Sequence, residues 1–225
     1  MAADPISDRL VVTSRSALRR KRDRGSHERE LVNAVLDEAL VCHVGFVAEH
    51  GPVVLPMTYV RIDDRLYLHG AAGNDMLRRL TDGSAHLCVT VTLLDGLVFA
   101  RSAFHHSMNY RSVVLFGAAE RVTDRMEMRA VAAALVDHLA PGRSADARPP
   151  SDDELRSTLI VQLRITEGSV KVRTGGPIEE PDDLQLQIWA GELPVALSAQ
   201  RPIADGHAAA GIPVPSYIAD HRLRP

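Results

Sequence analysis

His86-Leu87-Cys88-Val89-Thr90-Val91-Thr92-Leu93-Leu94-Asp95-Gly96-Leu97-Val98-Phe99 is the stretch on which the fold turns. Leu87, Val89, Val91 and Leu93 alternate strictly with His86, Cys88, Thr90 and Thr92, and a period of two places one set against a core and the other outward on a half-buried strand. Asp95-Gly96, flanked by apolar residues, is the strongest short hairpin signal in the chain, because a two-residue primed turn needs the positive φ that Gly and Asp tolerate. Strands over 97–102 and 110–122 are expected to flank that turn.

Upstream the same period recurs. Residues 41–48 are β-branched and aromatic, a turn at Glu49-His50-Gly51-Pro52 follows, and 53–62 reads as a second strand. Pro56 cannot donate to a ladder, so that strand is expected to be bulged or unpaired on one side there. After Asp63-Asp64, Leu66 and Leu68 share one face while Tyr67 and His69 share the other. Residues 74–80 suggest a short helix. Another is expected from Ser26, which can cap it, with Glu28 and Glu30 at its positive end and Leu31, Val32, Val35, Leu36 and Leu40 at helical spacing.

Downstream, Met126, Ala130, Val131, Ala134, Leu135 and Leu139 form a helical stripe closed by Pro141-Gly142, and Ser151 with Glu154 has capping-box spacing. A long strand is expected over 158–173. The resulting class is mainly β with added helices (α+β), an antiparallel barrel rather than alternating βα units. Three regions are read: a basic N-terminal arm at 1–25, the barrel at 26–177, and an acidic loop with a partly ordered C-terminal extension at 178–225.

The 225 residues suit one large domain, and 45% hydrophobic with 24% charged residues excludes global disorder. Aromatics are only 4%, so the core is aliphatic. No apolar run reaches the ~20 residues that cross a bilayer. The start of the chain lacks the apolar region of a secretory signal, so a cytoplasmic address and no membrane partner are expected. Cys42 and Cys88 read as buried thiols. A net charge of -3 gives no basis for a nucleic-acid partner. One basic patch stands out, over 15–24, without interleaved aromatics, and a solvated arm or an intersubunit strap accounts for it.

Catalytic templates are absent: no G-x-S-x-G, P-loop, H-E-x-x-H or C-x-x-C. The densest polar cluster is Arg101-Ser102-Ala103-Phe104-His105-His106-Ser107-Met108-Asn109-Tyr110-Arg111-Ser112. Arginines, hydroxyls and an amide there suit an anionic ligand, and equally a hydrogen-bonded loop or interface. His105 and His106 point to opposite faces of a strand and cannot easily share one metal ion. His69 ends a strand before the small-residue turn Gly70-Ala71-Ala72-Gly73.

Leu66-Tyr67-Leu68-His69-Gly70, the run from Asp95 to Gly117 and the run from Ser169 to Pro177 together resemble the pyridoxamine 5'-phosphate oxidase-like flavin-binding proteins, in particular the branch with the nitroimidazole-resistance reductases. The resemblance spans roughly 15–193, and its most specific part is the run through Arg101-Ser102-Ala103-Phe104-His105-His106-Ser107-Met108-Asn109-Tyr110-Arg111. It implies a split β-barrel homodimer that binds FMN in two clefts between the subunits. By the same carry-over Thr58 and Tyr59 lie under the isoalloxazine, and His69, Gly70 and Ala71 approach the flavin or substrate. Asn74, Asn109, Tyr110, Arg111 and Ser112 line the cofactor site, Arg111 and Arg101 hold the phosphate, and His69 is the catalytic candidate. One departure is visible: Asn74-Asp75 stands where relatives often place a cation after the glycine turn. No match to the substrate-phosphate arginines of genuine pyridoxamine phosphate oxidases is found, so vitamin B6 synthesis is not expected.

Three functions follow. An FMN-dependent oxidoreductase would act on a small, flat substrate stacked over the ring. A non-catalytic flavin-binding or sensory protein would use the same cleft. A haem-binding split barrel would take His69 or His105 as axial ligand. Deazaflavin is the remaining alternative to FMN or haem.

Overall fold

Strands that alternate apolar and polar residues can curl until the apolar rows face one another, and six of them do so here. The structure is a computed structural model that describes residues 7–81, 86–207 and 211–221. In chain order its elements are β1 (Gly25–Ser26), α1 (Arg29–Glu38), β2 (Val41–Ala48), β3 (Gly51–Ile62), β4 (Arg65–Ala71) and α2 (Asp75–Leu80). There follow β5 (His86–Phe99), β6 (Ser107–Arg121), α3 (Arg125–Leu139), α4 (Arg143–Asp146), α5 (Asp152–Arg156), β7 (Thr158–Arg164), β8 (Glu167–Arg173), β9 (Gly191–Pro194) and α6 (Ser216–Ala219). Antiparallel ladders link β2 to β3, β3 to β4, β4 to β7, β7 to β6, β6 to β5 and β5 back to β2, which closes a barrel. β8 and β1 extend the sheet beyond β6, and β9 adds to β5. This is the antiparallel split barrel expected from the sequence.

The interior is filled by Val44, Leu66, Leu68, Leu87, Val89, Val91, Val113, Leu115 and Leu163, with Val32, Val35 and Leu36 of α1 and Met76, Leu77 and Leu80 of α2. A second cluster lies outside the barrel wall, where Val60, Tyr67 and Ile160 pack against Met128 and Val131 of α3 and Leu155 of α5. Among the described residues no helix is long and apolar enough to cross a membrane.

Four expectations change on the structure. Asp95-Gly96 is no turn: β5 runs through it, Leu94 pairs with Tyr110, Gly96 with Asn109, and Asp95 is the extra residue of a bulge. Apolar residues on both sides keep the strand going, and Gly96 serves close approach instead, since a Cβ there would stand 3.2 Å from the Leu193 carbonyl of β9. The long strand over 158–173 is broken at 165–166, where the Ile165 N–H leaves the ladder to donate to Asp64 O (2.7 Å). Ser26 pairs with Val170 in β1, so the cap position of α1 falls to Glu28. Finally, α3 buries Met128 and leaves Met126 74% exposed, because its stripe against the sheet runs through 128, 131 and 135.

Candidate functional site

The β3–β4 ladder runs from Ile62↔Arg65 only as far as Tyr59↔Leu68. Beyond it β3 stays with β2, where Thr58 pairs with Val41 and Pro56 with His43, while β4 stays with β7, where His69 pairs with Ile160 and Ala71 with Thr158. The two strands part, and Thr58 and His69, which the next rung would have joined, become opposite lips of an opening. Pro56 lies in the run of β3 that has β2 on one side and no strand on the other, and a strand edge is where proline is tolerated.

His69 is half-buried, and its Nδ1 is buried with no hydrogen-bond partner. Burial pushes its pKa below the ordinary histidine value, so the ring is neutral near pH 7 and carries a free lone pair or N–H at that nitrogen. An orphaned buried polar atom is costly unless a ligand satisfies it. Gly70 faces α2, where a Cβ would come within 2.9 Å of Leu77 Cδ1. Ala71 is exposed at the end of β4. In the turn that follows, Ala72 N–H donates to Ser157 O and Asn74 N–H to Ala71 O, both at 2.8 Å, so these amides are engaged. The Asn74 side chain caps α2 by accepting from Leu77 N–H (3.0 Å), and Asp75 reaches outward to Arg79 (2.7 Å). Arg78 on the same helix has no side-chain partner among the described residues and is a cation close to this turn.

Tyr59 carries its side chain into the core, where it is fully buried and its hydroxyl donates to Leu36 O (2.6 Å). Only its backbone lies at the opening. Arg111 is held by two carboxylates, Glu38 and Asp95, with Nη2 donating to Glu38 Oε1 and Asp95 Oδ1 at 2.7 Å each. These bonds push its pKa further up and occupy its fork. Arg101 pairs with Glu179 (3.1 Å). Asn109 is buried, donates to Glu192 (2.6 Å) and accepts from Arg173. Tyr110 and Ser112 are half-buried on the outward row of β6, opposite Leu94 and Thr92. Thus Thr58, His69, Gly70, Ala71 and Asn74 lie at the opening, while Arg101, His105 and Asn109 dock the chain after β8 and Arg111 ties β6 to α1 and β5. Next to it the Phe99 ring packs at a tilt against Trp189, 6.0 Å between centroids, and His105 faces Glu180 at 3.5 Å. The acidic loop supplied the signal for these partners, but its pairing depends on contacts some 80 residues apart in sequence.

The outward face of the sheet is also distinctive. It presents Val41, His43, Gly45 and Val47 of β2, Pro52, Val54, Pro56 and Thr58 of β3, Cys88, Thr90, Thr92 and Leu94 of β5, and Tyr110, Ser112, Val114 and Phe116 of β6, with no Asp, Glu, Lys or Arg among them. Val47 and Val54 are 78% and 63% exposed.

The family model described as pyridoxamine 5'-phosphate oxidase matches residues 28–172, the whole barrel ring included. The chain belongs to the pyridoxamine 5'-phosphate oxidase family. The flavocytochrome Anf3 of Azotobacter vinelandii has the same fold, with a TM-score of 0.88 and 34% identity over 94% of this chain and 98% of that one. A FAD and haem binding protein of Mycobacterium smegmatis follows with a TM-score of 0.83 and 36% identity over 88% of this chain and 96% of that one. A Bacteroides thetaiotaomicron protein assigned to 5-nitroimidazole antibiotic resistance shares the fold alone, at 24% identity and a TM-score of 0.54 over 66% of this chain and 86% of that one. Among curated proteins none matches the chain. Membership accounts for the barrel, and the two relatives also cover most of this chain outside the matched range.

Proposed function

We propose that this protein is a cytoplasmic, homodimeric redox protein that holds a flavin and a haem and passes electrons to or from a small, planar substrate. The observation that carries this reading is His69: an imidazole held neutral at the parting of β3 and β4, with a buried nitrogen that no protein group satisfies. That state suits an axial haem ligand, and suits equally a hydrogen bond to a flavin or substrate edge. The relatives named for a flavocytochrome and for FAD and haem binding, each over 30% identical across nearly their full length, support a pair of cofactors. The second also favours FAD over the FMN expected from sequence. With Arg101 and Arg111 held by carboxylates, the mononucleotide phosphate loses the two cations assigned to it.

When bound, the flavin supplies hydride or single-electron transfer and the haem single-electron transfer. Thr58 and Ala71 border the space for a ring, and Gly70 lets α2 pack close behind the strand that carries His69. A second copy of the chain on the uncharged outward face would cover Val47 and Val54 and exclude water from the opening.

The test is the visible spectrum of purified protein during titration with FAD, FMN and haemin. Stoichiometric uptake of FAD together with a Soret band that His69→Ala removes supports the reading. A Soret band unaltered in His69→Ala moves the axial ligand to another residue, with His105 next to be substituted. Absence of both cofactors at tens of micromolar overturns it.

A further inference from the structure

The basic arm carries the densest positive charge in the molecule and none of the assignments above uses it. Arg19, Arg20, Lys21, Arg22 and Arg24 lie within six residues with Asp23 as the single carboxylate, in a chain whose net charge is -3. Arg19, Arg20, Lys21 and Arg22 are exposed, and among the described residues none of the five side chains makes a hydrogen bond or ion pair. The arm is nevertheless a fixed structure. Leu10 and Ser16 are buried, Arg15 forks onto Glu167 at 2.9 and 2.6 Å and lies 5.1 Å from the Phe116 ring centroid, and Lys171 Nζ donates to Arg20 O (3.2 Å). Phe116, Glu167 and Lys171 belong to the outward row of β6 and β8, so the arm lies along one border of the uncharged sheet face. Holding like charges side by side without counterions is unfavourable, and a multiply charged anion relieves it.

Strand order says which anion site is within reach. Across the outward face the order is β8, β6, β5, β2, β3. Four interstrand steps of ~4.8 Å put about 19 Å between the arm's border and the opening at Thr58 and His69. Along that face the arm of one protomer stands four strands away from its own opening. A two-fold axis parallel to the strands, between two copies packed by this face, reverses the strand order of one copy over the other. The β8 border of each protomer then lies over β3 of its partner.

We propose that the arm over 19–24 is the phosphate-binding element of the flavin site, acting across the dimer. Its cations hold the pyrophosphate of a dinucleotide flavin whose ring lies in the other protomer's opening. They take the place of Arg101 and Arg111, which carboxylates have neutralised. This rests on the flavin reading above and goes beyond it by naming the residues and the charged part of the ligand they recognise.

The test compares ligands that share a ring and differ in phosphate. The full-length protein and the combined variant Arg19→Gln, Arg20→Gln, Arg22→Gln are titrated with FAD and with riboflavin at low and high salt, with dimerisation checked by sedimentation. The variant should bind FAD about tenfold more weakly or worse at low salt, with a flatter salt dependence, and bind riboflavin as the wild type does. Unchanged FAD affinity, or an equal loss for both ligands, overturns the proposal. Wild-type protein that takes up neither flavin overturns the flavin reading and this one with it. Action across the dimer is read by co-expressing the arm variant with a protomer whose opening is filled by Ala71→Trp. Mixed dimers should recover one tight FAD site, and no recovery overturns the placement in the partner.

Discussion

His69 concentrates the chemistry of the opening in one side chain. Burial lowers its folded pKa, while the unfolded chain titrates near the ordinary value of about 6.5. The unfolded state therefore binds the proton more readily, so this contribution to stability is complete above about pH 6.5 and is lost as pH falls through the lowered folded value. Thermal unfolding followed between pH 8 and about pH 5 should show the midpoint dropping on the acid side, less steeply in His69→Gln. Equal slopes in both proteins would remove His69 from the effect. Arg111 is held by two carboxylates of its own chain. Arg111→Ala leaves Glu38 and Asp95 as facing carboxylates without their shared cation, and urea titration should show a loss of about 1–3 kcal/mol with FAD affinity unaltered. Loss of FAD without loss of stability would restore the phosphate role. His69 was legible from the sequence because a strand ending in Gly70 at a small-residue turn is a local pattern. The pairing of Arg111 was not, because Glu38 and Asp95 lie 73 and 16 residues away.

At the scale of elements, the strands were legible and their joints were not. Period-two alternation is enforced locally by the pleat, so β2 to β6 fall close to their expected positions. The Asp95-Gly96 pair satisfies the chemistry of a hairpin turn and of a bulge alike. The choice came from β6, whose 15 residues from Ser107 to Arg121 pair on both sides of the bulge. The break between β7 and β8 has a similar origin: β7 also pairs with β4, β8 also pairs with β1, and one straight strand cannot satisfy both neighbours. Gly168 marks how closely β8 is laid on β6. A Cβ there would meet Val114 O at 2.5 Å and Leu115 Cδ2 at 2.7 Å, so Gly168→Ala should lower stability by about 2 kcal/mol or more in chemical denaturation. A wild-type midpoint would show that the two strands can move apart at no cost.

For the whole molecule, the outward face carries the proposed homodimer. It presents a row of Val, Thr, Pro and Gly without a formal charge across four strands, and under that proposal a second copy covers it with the same surface. If so, Val54→Arg should give a monomer in sedimentation velocity where the wild type gives a dimer, while leaving circular dichroism and the unfolding midpoint of the barrel in place. A dimer that persists would move the interface to another face. The N-terminal arm borders this surface, and the segment after β8 packs at the ends of β5 and β6 through Glu179, Trp189 and Glu192.

The alternation of side chains, the capping pair Ser151 and Glu154 and the family resemblance were determined by the sequence alone, since each depends on neighbours within a few residues or on a long run of specific ones. Tertiary structure alone decided where β3 and β4 part and which carboxylates take Arg101 and Arg111. It also decided that the basic arm lies on the outward sheet face and not beside its own opening. Those outcomes depend on closing a barrel, which brings together groups whose meeting no local pattern records.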